Sequence, residues 1–101
     1  MATTYKRIEA VSKALQIIDY LAGLKDVTTG PQIAQAIGMS VGTVMCHLAT
    51  LEDAGYVMML GGGYRLGMKL AVHWARVKSN LEAGIARQQR ELESISIPGG
   101  N

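Results

Sequence analysis

Apolar residues recur at Ile8, Val11, Leu15, Ile18 and Ala22, with Ala14, Ile17 and Leu21 widening the stripe. This three-and-four spacing predicts a first amphipathic helix from Ile8 to Leu24. In the next segment, LKDVTTGPQIAQAIGM, Thr29 stands three residues before Gln32, the spacing of a capping box, and Pro31 falls where a first helical turn tolerates it. A short second helix is expected over about Gly30 to Ile37, closed by Gly38. Ser40 then caps a third helix two residues on, and two helices joined this tightly make a helix-turn-helix. Val41, Val44, Leu48 and Leu51 share one face of the third helix and are expected to pack against the first two helices, whereas Gly42, Thr43, Cys46, Thr50 and Asp53 face away. Gly55 ends that helix. YVMML (56–60), GGG (61–63) and YRL (64–66) then predict two short strands around a glycine turn, a wing.

From about Gly67 to Ser94 the apolar positions are Leu70, Trp74, Val77, Leu81, Ile85, Leu92 and Ile95, nearly a heptad with one stutter and with polar Gln88 in the seam. The pattern predicts a long helix that meets another helix. Gly84 lies in its middle, at a cost of roughly 1 kcal/mol in helix propensity relative to Ala, which suits a kink or a close contact. The expected fold class is therefore mainly α with a small β-hairpin: a winged helix-turn-helix over 1–67, a linker or dimerisation helix over 68–95, and a flexible tail over 96–101.

Composition narrows this picture. A chain of 101 residues has room for one compact domain with much of its surface exposed, so association is expected to matter. Apolar residues make up 49% of the chain but Phe is absent, so the core must be aliphatic. No apolar run approaches the roughly 20 residues of a membrane span, and MATTYKRIEA lacks the apolar centre of a signal peptide. A cytoplasmic protein without a membrane partner is expected. The one cysteine, Cys46, excludes an internal disulfide, and its neighbour His47 points about 100° away on a helix, so a shared metal is not expected. No cofactor is expected.

The net charge of +2 is small, but its distribution matters. Over residues 1–67 five bases (Lys6, Arg7, Lys13, Lys25, Arg65) balance five acids (Glu9, Asp19, Asp26, Glu52, Asp53), so the surplus lies beyond. No Lys or Arg occurs between Lys25 and Arg65, so the third helix cannot make the bidentate guanine contact that dominates major-groove readout.

The strings VSKALQIIDYLA (11–22), TTGPQIAQAIGMSVGTV (28–44), LATLEDAGYV (48–57) and YRLGMKL (64–70) resemble the N-terminal winged-helix domain of the IclR family of bacterial transcription regulators, over about residues 8–72. The resemblance implies a dimer whose third helix enters the major groove while the wing lies against the adjacent backbone or minor groove. It also implies a linker helix leading to a separate effector-binding domain; the chain stops where that domain would begin, so no small-molecule effector site is expected within it. Family members commonly carry a basic or polar residue at Val41, serine at Gly42 and arginine at Cys46. All three are replaced here, and Thr43 alone keeps the expected type.

The reading helix, about 40–54, is thus expected to meet DNA through Ser40, Val41, Gly42, Thr43, Cys46 and Thr50, with the wing at about 56–66 beside it. The Thr43 and Thr50 hydroxyls would read bases, and Val41 and Cys46 would touch thymine methyls. Free N–H groups and the helix dipole near Ser40 to Thr43, with a second such site at Thr29, would attract phosphates. Lys6, Arg7, Lys13, Arg65 and Lys69 would supply charge, or form an ordinary solvated face. His47, at the edge of the apolar face, reads as a packing or capping residue, and His73 as surface or interface. The expected dimer interface comprises Ile8, Val11, Leu70, Trp74, Val77, Leu81, Ile85 and Leu92, and a homodimer implies a near-palindromic operator in double-stranded DNA. The competing reading is a winged helix that has lost its basic face and serves as a protein-interaction or heterodimerisation module. An enzyme is disfavoured: no paired carboxylates, activated nucleophile or phosphate-binding glycine loop can be found, since GGG at 61–63 lies between strands.

Overall fold

A computed structural model of the chain describes residues 4–96, so of the expected tail only Ser96 is described and 97–101 lie outside. The order is α1 (Glu9–Ala22), α2 (Gly30–Ile37), α3 (Val41–Asp53), β1 (Val57–Leu60), β2 (Gly63–Leu66) and α4 (Lys69–Ser94). This is the expected winged helix followed by a long helix. Two units divide the chain at Lys69/Leu70.

The local signals act as the sequence implies around α2. Thr29 Oγ1 accepts from the Gln32 N–H at 3.3 Å while Gln32 Oε1 accepts from the Thr29 N–H at 3.0 Å, so both halves of the capping box form. Thr28 Oγ1, buried beneath, donates to the same Gln32 oxygen at 3.1 Å. At the other end Gly38 takes φ 72°, a left-handed conformation that costs glycine nothing, and the N–H groups of Gly38 and Met39 both reach Ala34 O. That reversal sets α2 and α3 at a bend of 115°.

The hairpin is tighter than the triple glycine suggests. Gly63 pairs with Leu60 inside the ladder, and the turn is Gly61-Gly62 alone, both at positive φ, which matches the right-handed twist of the strands. Tyr64 also exchanges backbone bonds with Thr28, at 3.0 and 2.7 Å, tying the wing to the loop before α2.

The core consists of Ile17, Leu21, Ile33, Ala34, Val44, Leu48, Leu51 and Val57. One helix boundary and one expectation about a face need correction. On α1, which ends at Ala22 rather than Leu24, the core takes Ile17 and Leu21 with Ala14 and Ile18 beside them, while Ile8, Val11 and Leu15 are exposed at 67, 53 and 55%. The helix is apolar on two adjoining faces, and its neighbours cover one. On α3, Val44, Leu48 and Leu51 are buried as expected, but Val41 is 45% exposed because the core begins one turn further along.

α4 is different in kind: none of its 26 residues is buried. Among the described residues no single helix is long and apolar enough to cross a membrane.

Candidate nucleic-acid interface

The start of α3 is built to present backbone donors. Ser40 Oγ accepts from the Thr43 N–H at 3.2 Å and donates to Thr43 Oγ1 at 2.8 Å, and the Val44 N–H bonds to Ser40 O at 3.1 Å. These bonds leave the N–H groups of Val41 and Gly42 directed outward at the positive end of the helix dipole. A Cβ at Gly42 would meet nothing within 4 Å, so a flat or anionic group can approach that backbone closely.

The start of α2 offers less than its sequence suggests. Pro31 has no N–H, Thr29 occupies that of Gln32, and the Ile33 N–H bonds to Thr29 O at 3.0 Å. Gly30 alone retains a donor in that turn, and the Met45 thioether leans over it: a Cβ at Gly30 would fall on Met45 Sδ. Met45 therefore closes the corner between the two helices.

The outward face of α3 is formed by Val41, Gly42, Met45, Cys46, Ala49 and Thr50, all exposed, with Thr43 half-buried at its edge. Its polar groups are partly committed. Thr50 Oγ1 donates back to Cys46 O at 3.0 Å, so outward it can only accept, whereas Thr43 Oγ1 accepts from Ser40 and keeps its own proton to give. Met45 and Ala49 were missed in the sequence reading, although Met45 lies one turn after Val41 and so shares its face. Met59 and Leu60, at the end of β1 beside the turn, add further exposed apolar surface at 51 and 47%.

His47 has the packing role its position suggests. Nδ1 lies 2.9 Å from Thr43 O and Nε2 lies 3.2 Å from Ala10 O, so the ring ties α3 to α1. A neutral imidazole donates to one of these carbonyls at a time.

The cations are unequal. Lys6 and Arg65 are exposed with no partner among the described residues. Arg7 Nη1 donates to Tyr5 O at 2.7 Å, and its charge is exposed. Lys13 forms an ion pair with Glu9 at 2.9 Å, one turn apart on α1, and the Lys13 ammonium holds the Glu9 carboxyl below its ordinary value, chiefly through their hydrogen bond. Lys69 Nζ donates to Ala54 O at 2.9 Å and sits 5.4 Å from the centre of the Tyr56 ring. It thereby caps the C-terminal end of α3, and any phosphate would compete with that carbonyl.

Of the residues expected at a dimer interface, Ile8 and Val11 are exposed on α1, where with Leu15 they edge an open apolar groove. On α4 Trp74, Val77, Leu81, Ile85 and Leu92 are exposed, and Leu70 is half-buried.

A buried corner between two short helices, a third-helix face left open and a hairpin after it define a winged helix-turn-helix. Residues 10–58 match the family model of the IclR helix-turn-helix domain, in line with the resemblance of the sequence. The fold is similar to that of an IclR transcriptional regulator from Alicyclobacillus acidocaldarius (27% identity, TM-score 0.67, 71% of this chain and 30% of that one). It is also similar to HmgR of Pseudomonas aeruginosa (25%, 0.62, 71% and 32%) and to IclR of Thermotoga maritima (25%, 0.64, 70% and 29%). The chain thus spans about a third or less of the length of these proteins. No curated protein sequence matches it.

Proposed function

We propose that the chain is a sequence-specific DNA-binding transcription regulator acting as a homodimer, with α3 in the major groove and the β1–β2 wing beside it. The observation that carries this reading is the open first turn of α3, where the Val41 and Gly42 N–H groups face outward beside an exposed face that no element of the domain covers. Phosphate binding at that turn fixes the register, Thr43 and Thr50 hydrogen-bond to base edges, and Val41, Met45 and Cys46 contact thymine methyls. Lys6, Arg7 and Arg65 supply most of the charge. Lys13 and Lys69 contribute after giving up Glu9 and Ala54 O, and Thr29 offers only the neighbouring Gly30 donor.

With two or three phosphates neutralised per subunit, a dimer should lose affinity with salt at a logarithmic slope of about −4 to −5. Selection from a random duplex pool should enrich a near-palindrome with half-sites about one helical turn apart. A slope near zero with no enriched motif would exclude the reading.

The absence of Lys and Arg from 26–64, together with exposed Met59 and Leu60, favours a second reading, a protein-interaction or heterodimerisation module. It requires that Leu81→Asp or Ile85→Asp abolish function while Thr43→Ala and Arg65→Ala leave it intact. The opposite pattern supports DNA reading.

A further inference from the structure

Glycine is a poorer helix former than alanine, yet Gly84 lies in the middle of α4 with no reason for it among the described residues. A Cβ there would meet nothing nearer than Arg87 Nη2 at 3.9 Å. The missing side chain is explained if another molecule approaches the helix at that point. The flanking pattern indicates which molecule. About the midpoint between Gly84 and Ile85, the seam positions are related by reversal: Leu81 stands opposite Gln88, Val77 opposite Leu92, and Trp74 opposite Ile95. The stutter at 81–85 sits at that midpoint, so the spacing of the seam, which runs to Ile95 just past the end of α4, is the same in both directions.

We infer that α4 pairs with α4 of a second copy of this chain in antiparallel orientation, about a two-fold axis passing the Gly84–Ile85 midpoint. This rests on the homodimer reading and specifies its interface. Each Ile85 fills the space left by the partner's Gly84, and Trp74, Val77 and Leu81 cover the partner's Ile95, Leu92 and Gln88. Exposures of 64, 47, 62, 63, 64 and 75% at Trp74, Val77, Leu81, Ile85, Leu92 and Ile95 leave that apolar surface available to the partner. Charge selects the direction. Arg76 and Lys78 lie in the first half of α4 and Glu91 and Glu93 in its last turns. Antiparallel pairing sets Arg76 level with the partner's Glu93 and Lys78 level with the partner's Glu91, whereas parallel pairing sets like against like. The helix dipoles also oppose.

Full-length chains carrying Cys46→Ser and either Val77→Cys or Leu92→Cys test this by disulfide formation. At 1.5 Å per residue, two copies of residue 77 lie about 22 Å apart in the antiparallel pair, too far to bridge, whereas 77 and 92 are adjacent. The mixture should form the 77–92 disulfide, and neither variant alone should dimerise covalently. Disulfides within each variant alone would overturn the orientation. A dimer by sedimentation with no disulfide in any combination would overturn the α4 interface and leave the homodimer reading standing. A monomer at every concentration would overturn both, while DNA binding by the winged helix would remain open to its own assay. Independently, Gly84→Leu should raise helicity yet weaken self-association at least about tenfold by overfilling the contact. Unchanged or tighter association would contradict the inference.

Discussion

α3 and α4 carry apolar residues at similar helical spacing and have opposite fates. In α3 the stripe Val44, Leu48 and Leu51 disappears into the core, and what remains outside is a face with neither charge nor cover. In α4 the stripe stays exposed from Trp74 onward, with Leu70 half-buried. Periodicity specifies that a face will be covered. It does not specify whether the cover comes from the same chain, a second chain or a DNA groove. In the short α3, held at 115° to α2 by the Gly38 reversal, the chain supplies the cover. In the long α4, with its central glycine, it does not.

The largest effect is expected in the core. Leu48→Ala should destabilise the winged helix by about 2–5 kcal/mol, read as a lowered denaturant midpoint with unchanged slope. The same class of change on the exposed stripe should behave differently: Leu81→Asp should weaken self-association at least about tenfold, in sedimentation, while leaving the unfolding of the winged helix unaltered. A large loss of winged-helix stability in Leu81→Asp would mean that the α4 stripe is part of that core. Gln32→Ala removes one half of the capping box and the acceptor of buried Thr28, and is expected to cost about 1–2 kcal/mol in thermal or chemical unfolding. Ser40→Ala should cost about 1 kcal/mol and also weaken DNA binding, because the cap fixes the turn that presents the Val41 and Gly42 donors. The smallest effect is a pH dependence on α1. Because Lys13 holds the Glu9 carboxyl below its ordinary value of 4.5, the pair's stabilisation is fully present above that value and is lost as pH falls through the lowered one. The change should be slight in acid titration of helicity, and absent in Glu9→Gln.

Much of the fold is legible in the residues themselves. Thr29 with Gln32, Gly38 and Ser40 dictate the helix-turn-helix through local backbone bonding that needs no tertiary information. The face of α1 is not legible in that way, since Ile8, Val11 and Leu15 form as good a stripe as Ala14, Ile17 and Leu21, and only the placement of α2, α3 and the wing chooses between them. The candidate site follows the same division. Its N-terminal turn and its lack of charge can be read from GMSVGTVMCHLATL. The Met45 thioether over Gly30, the His47 bridge to Ala10 O and the use of Lys69 to cap α3 join residues 15 to 37 positions apart and emerge only from packing. These contacts fix what the exposed face of α3 retains: two backbone donors, one threonine proton, the Thr50 hydroxyl as an acceptor and apolar atoms.

On the proposed function the exposed face of α3 contacts DNA without a cation of its own. The most direct test measures binding to a selected duplex and a scrambled one across salt, for the natural chain and for Thr43→Ala and Cys46→Arg. A selected near-palindrome should bind with a slope of about −4 to −5, with weakened discrimination in Thr43→Ala and tighter, more salt-sensitive binding in Cys46→Arg. Equal, salt-insensitive binding to both duplexes, unmoved by either substitution, would contradict it.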